Sequence, residues 1–128
     1  MRVPVTKEGK TDSTRLEYRA PDSAANPYLA FAVILAAGLA GIDGGYELPP
    51  EADGNLFDLS PVELTARGIT PLPGSLNEAV DAMERSSLVA TTLGEHLFEW
   101  FIRNKRAEWS TYKSEISRFE LERYLPRL

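Results

Sequence analysis

The run of residues 15–32 constrains this chain most, because a short strand of alternating charges passes directly into an apolar helix. Side chains alternate between the two faces of an extended segment, so Arg15, Glu17 and Arg19 share one face and the apolar side chains share the other. A solvated sheet face gives the same pattern. The strand alone therefore leaves a structural and a functional interpretation open.

A second feature, residues 2–5 just upstream, favours the functional interpretation. A hairpin through Gly9 would bring Arg2 beside the other two arginines. Guanidinium groups offer paired donors to phosphate or carboxylate oxygens, and a glutamate offers a hard oxygen ligand for Mg²⁺ or Mn²⁺. Three arginines around one carboxylate suit an anionic, metal-bound substrate.

The rest of the chain carries helix signals. Asn26 and Pro27 start an apolar helix, and three later segments open with a serine followed three residues on by glutamate. We therefore expect one α+β domain, with a short antiparallel hairpin followed mostly by helices. The expected strands are at about 2–5 and 14–19, and the expected helices at about 27–40, 61–67, 76–85, 94–114 and 118–124.

Composition narrows the function classes. The chain has 128 residues, no cysteine and a formal net charge of −5. The acidic balance disfavours nucleic acid as the main partner, and the absence of cysteine excludes disulfides and thiolate metal sites. We find no signal peptide and no apolar run long enough to span a membrane.

Two further features have a structural and a functional interpretation. His96 is the only histidine and has no second histidine or cysteine to complete a metal site, which favours a structural role. The basic cluster at 103–106 lies between Trp100 and Trp109. It suits stacking on single-stranded nucleic acid, but neighbouring glutamates favour a solvated helix face.

The sequence of residues 15–32, Arg-Leu-Glu-Tyr-Arg-Ala-Pro-Asp-Ser-Ala-Ala-Asn-Pro-Tyr-Leu-Ala-Phe-Ala, closely resembles the C-terminal signature of type I glutamine synthetases. Five more segments continue the resemblance in order along nearly the whole chain: 39–42, 55–59, 72–76, 93–96 and 119–125. Members of that family are several times longer. The resemblance implies the C-terminal part of a catalytic domain whose other parts precede residue 1.

The resemblance also implies residue roles. Glu17 matches a metal-binding glutamate, and Arg19 matches an arginine near the substrate carboxylate and the transferred phosphate. Arg15 and Arg2 match arginines at the phosphate end of ATP. The connection at 6–13 is longer than in some relatives, and Lys10 is the candidate for the family's lysine there without a firm match.

The implied reaction is ATP-dependent formation of glutamine from glutamate and ammonia through γ-glutamyl phosphate, with Mg²⁺ or Mn²⁺ as cofactor. The resemblance further implies a cytoplasmic homo-oligomer, a dodecamer of stacked rings, with neither nucleic acid nor a membrane as partner. We expect the isolated chain to be inactive, because one metal ligand cannot fix two cations.

Two alternatives remain. Phe57 occupies the place of the tyrosine that is adenylylated in one subgroup, so the sequence resembles the unmodified subgroup or its paralogues, some of which are similar to γ-glutamyl-amine ligases acting on polyamines. In the second alternative, the chain is a non-catalytic module that docks to full-length subunits through the amphipathic segment 119–125.

Overall fold

The computed structural model describes residues 1, 4, 9, 14–52 and 54–127 of the chain, and these residues are mostly helical. The helices are α1 (Pro27–Asp43), α2 (Pro61–Ala66), α3 (Leu76–Glu84), α4 (Ser87–Leu93), α5 (Glu95–Ser114) and α6 (Arg118–Tyr124), with 3₁₀ turns at Leu56–Asp58 and Leu125–Arg127.

The expected α+β class with an antiparallel hairpin is wrong. Within the described ranges no strand forms, and only Glu17 has an isolated bridge. Residues 14–19 are extended, but a strand needs partners along its length, and an isolated two-stranded hairpin is marginal in water. Of the expected strand at 2–5, only Pro4 lies among the described residues.

Helix starts follow their local signals. The Asn26 side chain accepts hydrogen bonds from the backbone N–H groups of Tyr28 (3.0 Å) and Leu29 (3.4 Å), which fixes the first turn of α1. Ser60 and Ser117 each form a reciprocal capping box at the starts of α2 and α6. These caps satisfy backbone donors that have no partner within the helix.

Helix α4 was not expected from the sequence. Ser86 caps it through the backbone N–H of Val89, at 3.3 Å. Gly94 then separates α4 from α5 with φ 75° and ψ 154°, a conformation that residues with a Cβ rarely adopt. This sharp connection lets α5 fold back beside the preceding helices.

Helices α3, α4 and α5 form the centre of the fold, and α1 joins them by packing on α4. Val80 of α3 is the one buried residue among those that the structure describes, at 3% exposure. Helix α6 contacts the 3₁₀ turn that follows it. None of the described helices is both long and apolar enough to cross a membrane.

Candidate functional site

Three charged side chains of the extended segment before α1 form one ion-paired cluster. Arg15 Nη2 lies 3.0 Å from Glu17 Oε1, and Arg19 donates to Glu17 Oε2 from Nε at 3.1 Å and from Nη2 at 2.6 Å. The alternation seen in the sequence therefore places these side chains on one face, as predicted. We call Arg15, Glu17 and Arg19 the charged cluster.

In the charged cluster the carboxylate is largely buried, whereas the two guanidinium groups are exposed to solvent. The Glu17 side chain is 18% exposed, whereas those of Arg15 and Arg19 are 59% and 71% exposed. The three side chains of the cluster themselves sum to one positive charge. Because guanidinium groups bind carboxylate and phosphate oxygens well, this surface favours an anionic ligand.

The backbone after the charged cluster is fixed by local hydrogen bonds. Asp22 Oδ1 accepts from the backbone N–H of Ala24 at 2.6 Å, and the Asp22 carbonyl accepts from Ala25 N–H at 3.0 Å. This turn leads directly to the Asn26 cap of α1. Arg15 and Arg19 therefore lie on an extended segment whose C-terminal end is fixed by the start of α1.

For two of the candidate residues from the sequence, the position relative to the charged cluster is not described. Arg2 and Lys10 lie outside the described residues. His96 is described and lies exposed in the first turn of α5. Across residues 14–52 and 54–127 no group of three His, Cys, Asp or Glu side chains could hold a metal ion, so Glu17 belongs to no complete set of metal ligands within those ranges.

The basic cluster at 103–106 has a role that the sequence interpretation missed. Arg106 of α5 donates to Asn77 Oδ1 (2.7 Å) and Glu84 Oε2 (2.6 Å) and pairs with Asp81, all on α3. The hydrogen bonds that Arg106 donates to Glu84 and Asp81 raise the pKa of Arg106. Arg106 therefore joins two helices instead of lying on a purely solvated face.

Lys105 is paired as well. Its Nζ lies 2.6 Å from Glu108 Oε2 and 5.8 Å from the centre of the Phe101 ring. These contacts are local to α5 and favour a structural role for this side chain. The charged cluster at 15–19 remains the stronger candidate for binding an anion.

Comparison with known proteins decides the family. Residues 1–124 match the family model described as glutamine synthetase, catalytic domain. The chain belongs to the glutamine synthetase family. The resemblance found in the sequence is confirmed, including its placement in the C-terminal part of the catalytic domain.

Individual glutamine synthetases give the same result. The chain is 54% identical over 125 residues to the glutamine synthetase of Mycobacterium tuberculosis strain H37Rv, covering 98% of this chain and 28% of that protein. It is 44% identical over 128 residues to that of Methanosarcina mazei, covering 100% of this chain and 28% of that protein. The chain thus spans little more than a quarter of these relatives.

A solved structure shares the fold as well. The structure titled "Apo GmaS without ligand" has a TM-score of 0.70 and 39% sequence identity, over 84% of this chain and 24% of that one. At this identity and TM-score, that structure shares the fold described above over the aligned part of the chain. The comparison again matches only part of a longer chain.

Proposed function

We propose that this chain is the C-terminal part of the catalytic domain of an ATP-dependent ligase that forms glutamine from glutamate and ammonia. Membership of the glutamine synthetase family supports the reaction class. The charged cluster carries the proposal, because it places a shielded carboxylate between two exposed arginines on one face.

The proposed reaction forms two bonds in turn. The glutamate γ-carboxylate attacks the γ-phosphorus of ATP, forming γ-glutamyl phosphate and releasing ADP. Ammonia then attacks the acyl carbon, phosphate leaves, and a proton lost from nitrogen completes glutamine. Both steps gather negative charge on phosphate oxygens, and fixed cations stabilise that charge.

The arginines supply part of that positive charge. We assign Arg19 to the substrate carboxylate and the transferred phosphate, and Arg15 to the phosphate end of ATP, together with Arg2. Arg19 is the more exposed of the two described arginines. Its Nε and Nη2 both donate to Glu17, which holds the guanidinium plane in a fixed orientation.

We assign Glu17 as one ligand of the divalent cation, Mg²⁺ or Mn²⁺. Its carboxylate oxygens are the hard donors that these ions prefer, and its partial burial limits competition from water. A bound divalent cation would neutralise phosphate charge. Because the described part of the chain offers no group of three ligands, the remaining ligands must come from elsewhere in the protein.

The first experiment measures ATP-dependent γ-glutamyl hydroxamate formation by a longer parent enzyme carrying Glu17→Gln. Loss of an outer-shell partner of a metal ligand costs about 10–100-fold in activity or affinity. Loss of a direct ligand should therefore lower metal-dependent turnover by about 100-fold or more. Unchanged turnover and unchanged metal affinity would rule out the assignment.

Glu122→Gln is the matched control. Glu122 is also an arginine-paired carboxylate, with Arg118 Nε 2.6 Å from its Oε1, but it lies on α6 away from the charged cluster. The same chemical change there should leave turnover within about twofold, since exposed ion pairs contribute little. The 128-residue chain assayed alone should give no hydroxamate, and detectable ATP-dependent product would contradict its proposed inactivity.

A second amine acceptor has one observation in its favour. Phe57 lies in the 3₁₀ turn Leu56–Asp58 before α2, is 98% exposed and has no hydroxyl for adenylylation. Phenylalanine in place of the adenylylated tyrosine is typical of the unmodified subgroup of glutamine synthetases or its paralogues. These paralogues include ligases that use polyamines or other amines. Parallel assays of the parent with ammonia and with a polyamine distinguish the acceptors by their kcat/KM.

A further inference from the structure

The stretch from the last residue of α1 to the last residue of α2 is strongly acidic. Residues 43–66 hold six acidic side chains and no basic one. Removing these six carboxylates from the 19 acidic residues of the chain leaves 13 acidic against 14 basic residues. The negative charge of the whole sequence therefore originates in this stretch, which we call the acidic segment.

The acidic segment also exposes large apolar side chains. Phe57 is 98% exposed and Leu48 is 92% exposed, and Tyr46 and Val62 are exposed as well. A single apolar side chain on a protein surface needs no explanation, whereas several in one short segment are typical of an interaction site. The acidic segment thus combines apolar side chains with charge of one sign.

The turn that carries Phe57 is fixed by local hydrogen bonds. Asn55 Oδ1 accepts from the backbone N–H of Phe57 at 3.2 Å, and the backbone N–H of Leu59 donates to the Leu56 carbonyl at 3.3 Å. Leu56 and Leu59 are partly buried, whereas Phe57 between them lies in solvent. Because the backbone of Phe57 is already ordered, little conformational freedom is lost when its side chain binds.

The charge of the acidic segment favours a reversible partner over permanent burial. Glu47, Glu51 and Asp58 are exposed carboxylates close in sequence to Leu48 and Phe57. Removing carboxylates from water is costly unless basic groups pair with them, and the acidic segment has no basic residue of its own. Apolar anchors with a charged rim are typical of proteins that associate and separate.

We infer that the acidic segment is a docking surface for a second protein, one with an apolar pocket bordered by lysine and arginine side chains. Phe57 enters that pocket as the anchor, since aromatic side chains dominate the binding energy of many interfaces. The carboxylates meet the basic border, which speeds association and selects the partner. Nucleic acids and anionic membrane surfaces carry the same sign of charge and are repelled. Such docking is independent of the proposed ligase reaction.

Photo-crosslinking at position 57 tests the inference. The photoreactive amino acid p-benzoylphenylalanine replaces Phe57 in the natural protein, in the cells that produce it, and peptide mass spectrometry identifies both crosslinked peptides. Tyr112, an exposed aromatic residue on α5 outside the acidic segment, receives the same probe as a control. We expect position 57, and not position 112, to crosslink to one distinct protein at a site beside lysine or arginine residues.

Affinity measurements with that purified protein then separate docking from mere proximity. Phe57→Ala should weaken binding at least about 30-fold, as truncation of an aromatic anchor does. The triple variant Glu47→Gln, Glu51→Gln, Asp58→Asn should weaken binding about tenfold at low salt and remove most of its salt dependence. Phe119→Ala makes the same aromatic truncation on α6, where the side chain is also exposed, and should change affinity by less than about twofold.

Three results would overturn the inference. Crosslinks confined to this protein would assign the acidic segment to internal packing or to self-association. The absence of any crosslink at position 57 would show that nothing docks there. A crosslinked protein that binds equally well to Phe57→Ala and to the triple variant would be a neighbour and not a partner. Ligase turnover of the unsubstituted protein is measured separately, so its failure is distinguishable from all three.

Discussion

Val80 provides the sharpest test of how the central helices pack. It lies on α3, which packs on α4 and α5, and is the single buried residue in the described part of the chain, at 3% exposure. Val80→Ala removes two methyl groups and adds no polar atom. Its effect should therefore report apolar packing between these helices and little else.

The size of the effect follows from burial. Two buried carbon groups at about 0.8 kcal/mol each give about 1.6 kcal/mol of lost transfer free energy. If the space of about 50 Å³ stays empty, about 24 cal/mol per Å³ adds about 1.2 kcal/mol. We expect Val80→Ala to lower the free energy of unfolding by about 1.5–3 kcal/mol, a change of more than tenfold in the folded-to-unfolded ratio.

Urea unfolding followed by tryptophan fluorescence measures this loss. Trp100 and Trp109 both lie in α5, which packs against α3, so their emission reports separation of the two helices. Val62→Ala makes the same chemical change on α2, where the side chain is 78% exposed, and should change stability by no more than about 0.5 kcal/mol. Equal shifts in the urea midpoint for the two variants would refute the packing argument.

Two further predictions concern helix starts. Asn26→Ala should lower the free energy of unfolding by about 1 kcal/mol, because it removes the acceptor for two N–H groups at the start of α1. Faster amide exchange at Tyr28 and Leu29 would show this loss. Unchanged exchange at these two residues would contradict the role of Asn26 as a cap. Hydrogen bonds with Ser60 and Ser117 lower the pKa of Glu63 and Glu120 below the ordinary value of 4.5. The stability they provide to α2 and α6 is complete above pH 4.5 and is lost as the pH falls through the lowered pKa values. Circular dichroism should show helix loss in that acid range, and a Glu63→Gln, Glu120→Gln double variant that kept the same acid transition would disprove this origin.

Local chemistry explains which helix starts could be read from the sequence. Asn26 with Pro27, and the serine–glutamate pairs at the starts of α2 and α6, make contacts within four residues. The spacing of the residues along the sequence therefore predicts such contacts directly. Helix α4 lacks a glutamate at the third position after its Ser86 cap and contains two threonines. The serine–glutamate pattern therefore does not predict this helix.

The strand error has a different physical origin. Alternation at 14–19 correctly indicates an extended segment, but a strand also requires hydrogen-bonding partners that can lie far away in the sequence. Arg106 is a similar case on a helix. Its partners Asp81 and Glu84 are 25 and 22 residues away, and the choice of facing helix depends on packing, which periodicity alone does not determine.

The same distinction applies to the candidate site. Arg15, Glu17 and Arg19 meet because residues two apart in an extended segment share a face, so their cluster could be predicted without a fold. A two-cation phosphoryl-transfer site needs further carboxylate or imidazole ligands that converge from distant segments. The described residues form no group of three such ligands, and an apolar groove lined by Tyr18, Leu29 and Phe101 lies beside the same segment. If the proposed function holds, the charged face of residues 15–19 contributes part of a metal site whose other ligands come from distant segments, and these are the residues that sequence periodicity could not identify.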